Sequence, residues 1–182
     1  IVKQAMAKWP NVPDCYGWLG LDARGNWYMR DEPCQRQGSF GSGAPGAKGA
    51  ELQHEKLRTF IERNYECDAR GCWYFQNGPQ RVYVELEQTP WIWRIQPSGE
   101  IRSHTGRIAT VEAALSDSAG RLYLLTNLGL GLVHPQDMWD ASEILENGTW
   151  PQLQAEDSNL EARYRFVKSP QAIAQAKATL RE

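Results

Sequence analysis

The sequence offers little to a membrane, a metal or a phosphodiester backbone. No apolar run reaches eighteen residues, so no stretch would cross a bilayer as a helix. Positive charge is not in excess. Lys and Arg number 20 against 22 Asp and Glu, a formal net charge of −2, which argues against nucleic acid as a partner. Residues 112–182 are more acidic still, with six basic and ten acidic side chains, and that region should repel nucleic acid. The four cysteines, Cys15, Cys34, Cys67 and Cys72, form no C-x-x-C pair. The three histidines, His54, His104 and His134, fit neither H-x-x-x-H nor H-E-x-x-H, so no metal and no cofactor is expected. No G-x-S-x-G elbow is present either, and no other catalytic signature takes its place.

The opening residues, Ile1 to Ala7, are too short and too polar for a secretory h-region. Met6-Ala7-Lys8 reads as a start, with Ile1 to Ala5 left from an upstream reading. Cys67 and Cys72 flank a four-residue turn and could face each other across a hairpin, but in a reducing compartment they are expected as two reduced, packed thiols. The expected location is the cytoplasm.

What the chain does have is a repeated turn. Asp22-Ala23-Arg24-Gly25-Asn26-Trp27-Tyr28 returns as Asp68-Ala69-Arg70-Gly71-Cys72-Trp73-Tyr74, and more weakly as Asp117-Ser118-Ala119-Gly120-Arg121-Leu122-Tyr123. Asp can bond backbone amides at the opening of a turn, and Gly supplies the left-handed conformation that closes it. Each copy precedes a strand-like run, so each reads as the tip of a β-hairpin. Alternating apolar residues predict strands over 81–87, 91–95, 109–115 and 160–166, and more continuous apolar runs predict strands over 122–125 and 128–133. On the 81–87 strand, Glu85 and Glu87 share a face that reads as solvated.

Leu57, Phe60, Ile61 and Tyr65 predict a half-buried helix over 51–64. A short helix is expected over 137–146, and Ser169-Pro170 is an N-cap and first-turn pair opening a helix to about Leu180. The glycine-rich stretch 38–49 lacks P-loop spacing, since Lys48 is followed by Gly49 and no strand precedes it, and it reads as a mobile surface loop.

Eight tryptophans, Trp9, Trp18, Trp27, Trp73, Trp91, Trp93, Trp139 and Trp150, exceed what one core of this size needs. Aromatic and hydrogen-bonding residues concentrate in Trp73-Tyr74-Phe75-Gln76-Asn77-Gly78-Pro79-Gln80-Arg81. The candidate ligand-binding residues are therefore Trp73, Gln76, Asn77, Gln80 and Arg81, with His54 at the start of the predicted helix.

The order His54-Glu55-Lys56-Leu57, Phe60-Ile61, Asn64-Tyr65 and Gly71 to Val84 resembles an uncharacterised family of short proteobacterial proteins. More distantly, it resembles a second bacterial domain of unknown function, whose "T-N-x-G" turn is echoed by Thr126-Asn127-Leu128-Gly129. The distant resemblance implies repeated α+β units and a role in binding or signalling, and neither family supplies a catalytic residue.

The expected fold class is α+β, two successive antiparallel-sheet-plus-helix units with sheet dominant. They divide near Thr89-Pro90, with the glycine-rich loop in residues 1–89 and the C-terminal helix in residues 90–182. The leading functional reading is a non-enzymatic binding module for a small molecule or a protein segment. Two alternatives stand beside it: a small hydrolase using His54 with a carboxylate such as Glu85, which requires both in one cleft, and a structural assembly subunit, possible as a homo-oligomer.

Overall fold

The computed structural model describes residues 4, 7, 8, 11–153 and 159–182. Met6 and Trp9 lie outside the described residues. Among the described residues, twelve strands form two six-stranded sheets. The chain divides into two compact units: Ile1–Asp22, Asn26–Glu87 and Phe166–Glu182 make the first, and Ala23–Gly25 with Gln88–Arg165 the second.

The first unit contains β1 (Cys15–Leu21), β2 (Trp27–Met29), α1 (Glu32–Arg36), β3 (Ala50–Glu51), α2 (Glu55–Arg63), β4 (Tyr65–Cys67), β5 (Trp73–Asn77) and β6 (Gln80–Leu86). Its sheet order is β3-β2-β1-β6-β5-β4. Two antiparallel meanders are joined at the centre by parallel pairing of β1 with β6, Gly20 opposite Glu85 and Leu21 opposite Leu86. A last helix, α5 (Pro170–Thr179), packs on β1 and β6. The C-terminal helix was expected in the second unit, and this placement corrects that expectation. Glu85 supplies the physical reason, as described below.

Strand alternation gives the first sheet two different faces. Phe75 and Val82 are cross-strand partners on the face covered by α2, where Phe60 meets Phe75 edge-on at 5.3 Å. Tyr74 and Tyr83 are partners on the other face, where they and Cys72 are packed by Tyr16 of β1 and by Val167 and Ile173 of the C-terminal segment.

The second unit contains β7 (Trp91–Ile95), β8 (Ile101–Ser103), β9 (Ile108–Ala109), β10 (Val111–Ser116), β11 (Leu122–Thr126), β12 (Gly129–Val133), a 3-10 turn (Pro135–Asp137), α3 (Met138–Glu146) and α4 (Leu160–Tyr164). Its order, β10-β11-β12-β7-β8-β9, repeats that of the first sheet six strands on, with β12 and β7 as the parallel central pair. Trp91 and Trp93 are buried and stacked, their indole nitrogens donating to the carbonyls of Leu128 and Leu124. The fold is thus α+β with two similar, mixed sheet units.

The repeated turn marks the repeat of structure. It closes the first hairpin of each meander, with the Asp22, Asp68 and Asp117 amides donating to the carbonyls four residues on, at 3.0, 2.9 and 3.0 Å. Gln96-Pro97-Ser98-Gly99-Glu100 makes the same closure at 2.8 Å in the remaining meander. That fourth copy is hidden in sequence because Gln replaces the aspartate. At Asp117 the carboxylate accepts from the amides of Ala119 and Arg121, from the Arg121 guanidinium at 2.6 Å and from the Tyr123 hydroxyl at 3.0 Å.

Three local expectations are corrected. Residues 160–164 form α4, not a strand. Leu160 and Tyr164 suit a helical i, i+4 pair as well as an alternation, and Asn159 caps the turn through the Ala162 amide. The predicted helix over 51–64 is shorter, because Ala50–Glu51 pair with β2. The glycine-rich stretch is a pinned loop, with Phe40 and Ala47 buried.

Candidate binding cleft

The cleft is built from the loop that follows α1. Arg30 leaves the end of β2 and is wholly buried. Its guanidinium donates to the Ala47 carbonyl at 2.9 Å, to Gly17 at 3.0 Å and to Gly38 at 2.7 Å, tying both ends of the glycine-rich loop to β1. Phe40, near the loop's start, lies over Gly20 so closely that a Cβ there would come within 2.6 Å of its ring. At the loop's far end, Lys48 pairs with Glu87 at 2.8 Å. The lysine that a phosphate loop would have offered to a ligand is engaged by the protein itself.

Opposite this loop stands the start of α5. Glu85, on β6, is 1% exposed and accepts from the Ser169 hydroxyl at 2.5 Å and from the Gln171 amide at 3.2 Å. Ser169 in turn accepts from the Ala172 amide at 3.1 Å. A buried strand carboxylate therefore holds the positive end of the helix. Burial raises the Glu85 carboxyl, while the bonds from Ser169 and Gln171 and the nearby Arg30 charge oppose that rise. The solvated face expected for Glu85 is thus overturned, because β6 is a central strand and α5 covers that face.

Between loop and helix lies a cleft of about 470 Å³, walled by Gln35, Arg36, Ser39, Gln171 and Gln175 among others. A smaller pocket of about 220 Å³ shares Ser39 and Ser169 with it and reaches Glu85 and Lys168. Gln171 donates its amide to the Gln35 side chain at 3.0 Å, and Gln35 donates to the Arg30 carbonyl at 2.9 Å. Neither the side-chain amide of Gln175 nor the Ser39 hydroxyl has a protein partner among the described residues.

The residues singled out in sequence are not gathered into one surface. Trp73 lies on the Phe75 face of β5, its ring 4.8 Å from that of Tyr65. Gln76 and Arg81 are cross-strand partners on the opposite face. The Gln76 amide donates to the carbonyls of Gly78 and Gln80 and closes its own hairpin. Arg81 lies over the Tyr74 ring at 4.5 Å, Gln80 donates to the Pro13 carbonyl, and Asn77 is exposed at the tip. His54 is exposed and caps α2, its Nδ1 accepting from the Leu57 amide. No hydrogen bond joins His54 to Glu85.

The cysteines are all free; of the pair flanking the Asp68 turn, Cys72 is buried and Cys67 exposed, so only one of those two is a packed thiol. Among the described residues no group of three His, Cys, Asp or Glu side chains could hold a metal ion, and no helix is long and apolar enough to cross a membrane.

The family model DUF2944, described as "Protein of unknown function (DUF2946)", matches residues 1–178. The chain belongs to this family. Two solved structures are similar to this DUF2944 protein, and both belong to a second family of unknown function, DUF1285. One, from Silicibacter pomeroyi DSS-3, is 11% identical with a TM-score of 0.47, covering 74% of this chain and 73% of its own. The other, from Shewanella baltica OS155, is 16% identical with a TM-score of 0.44, covering 69% of this chain and 91% of its own. No curated protein matches the sequence.

Chemically, the cleft of the DUF2944 chain is a hydrogen-bonding site with its charges already matched. Glu85 neutralises the helix end, and Arg36 stands 4.0 Å from Glu32 at the rim. The lining side chains without a charged partner, Gln35, Ser39, Gln171 and Gln175 among them, carry amide and hydroxyl groups.

Proposed function

We propose that this protein is a non-enzymatic binding module, and that the cleft between the glycine-rich loop and α5 holds a small, polar, uncharged molecule. The supporting observation is the pairing of volume with lining. About 470 Å³ is within the range that small-molecule sites occupy, and Ser39 and Gln175 present unpartnered hydrogen-bonding groups into it. An anion finds no uncommitted cation in the cleft and a cation no uncommitted carboxylate, since Arg36 stands beside Glu32 and Glu85 is bound to the start of α5. A neutral ligand rich in hydroxyl or amide groups needs neither. The proposed place of work is the cytoplasm.

The test is native mass spectrometry of the purified chain without added ligand, beside Ala172→Trp. Ala172 lines the cleft and lends only its backbone amide to the cap, so a tryptophan there fills the space without removing a bond. The expected result is an adduct of defined mass on the wild type that is lost in the variant. A bare wild type, or an adduct kept by Ala172→Trp, would contradict the proposal.

A further inference from the structure

The second unit carries an exposed aromatic that its own packing does not use. α3 buries Ala141 and half-buries Met138, Ile144 and Leu145. On the opposite side Trp139 is 77% exposed, with no ring or hydrogen-bond partner among the described residues. Glu143 and Glu146 follow at i+4 and i+7, within about 60° of Trp139 around the helix. Neither has an ion pair among the described residues. Both lie in the last turns of α3, where the helix already carries partial negative charge and no basic side chain compensates it. The sequence around it supplies no relief. Between Arg121 and Arg163 there is no lysine or arginine and there are seven carboxylates.

We infer that this face of α3 docks a protein segment presenting arginine side chains, one stacking on the Trp139 ring while its neighbours pair with Glu143 and Glu146. Charge complementarity selects this occupant. A cation relieves the like-charge crowding at the helix end, and a guanidinium is the cation that stacks best on an indole face. Tryptophan also makes a strong single anchor, because it brings a large rigid area at small entropic cost. A second copy of this chain is a poorer fit, since an isologous contact would set the same carboxylates against each other.

The experiment is fluorescence anisotropy with a labelled helical peptide of about 16 residues, carrying arginine at every third or fourth position. Its counterpart has every arginine replaced by glutamate. The wild type should bind the arginine peptide, more weakly as salt rises, and not the glutamate peptide. Trp139→Ala should weaken binding by about 30-fold, and Trp139→Phe by much less. The double variant Glu143→Lys with Glu146→Lys should reverse the preference between the two peptides. All three positions are exposed, so unchanged circular dichroism is expected to accompany each loss. The inference is overturned if the arginine peptide fails to bind at about 1 mM, if Trp139→Ala binds it as the wild type does, or if the glutamate peptide binds equally well.

Discussion

The Ser169 hydroxyl donates to Glu85 Oε1 at 2.5 Å, joining residues 84 positions apart in sequence. Through this bond a central strand of the first sheet starts the last helix of the chain, and α5 becomes a wall of the cleft. The second sheet does the equivalent job locally. His134, just past β12, caps the 3-10 turn that leads into α3 by accepting from the Gln136 amide at 3.0 Å.

Glu85→Ala should therefore unfasten α5. Losing a buried cap and leaving the Gln171 amide unmet costs about 1–3 kcal/mol, read as a lower urea midpoint. Glu85→Gln isolates the charge. Because burial raises the carboxyl in the folded state, the native protein holds that proton more tightly than the unfolded chain. Stability from this group is greatest at low pH, falls as pH rises from the ordinary carboxylate range through the raised value, and is flat above it. The Gln variant should lack that fall in a series of unfolding curves across pH.

His104 works in the opposite sense. Burial pushes its imidazole down to about 3, so the folded protein keeps it neutral where the unfolded chain takes up a proton near pH 6.5. Its contribution is complete above about pH 6.5 and is lost progressively as pH falls toward 3. His104→Gln, which can still accept from the Ile92 amide, should flatten this limb in the same series.

Arg30→Met should cost about 3–5 kcal/mol, since it removes a buried charge that three carbonyls share. Hydrogen exchange should then speed up across residues 38–47, while β10 to β12 in the other unit keep their protection. Arg30→Lys should rescue only part of the loss, because a single ammonium lacks the fork that meets all three carbonyls.

Much of the architecture was legible in the sequence. Three of the four meander-opening turns could be read because an aspartate that accepts from turn amides recurs there with a glycine at positive φ. Gly120, at φ 79°, shows the requirement most simply, with nothing within 4 Å of an added Cβ. Gly120→Ala should cost about 1 kcal/mol for backbone reasons alone, measurable by thermal unfolding. The parallel pairing of β1 with β6 was not legible, because it joins strands some 60 residues apart and leaves no local pattern. The cleft was hidden for the same reason. Its walls come from residues near 35 and 170, and Glu85, which holds the second wall in place, alternates along β6 like any solvated residue until α5 covers it. Aromatic density at 73–81 pointed instead to a hairpin whose polar groups largely bind one another.

The most direct measurement is a crystal structure of the protein as purified from cells that make it. The expected result is density for an uncharged, hydrogen-bonded molecule between Ser39 and Gln175, with Glu85 still capping α5. A cleft holding only water, or a molecule bound elsewhere on the first unit, would contradict the binding-module reading.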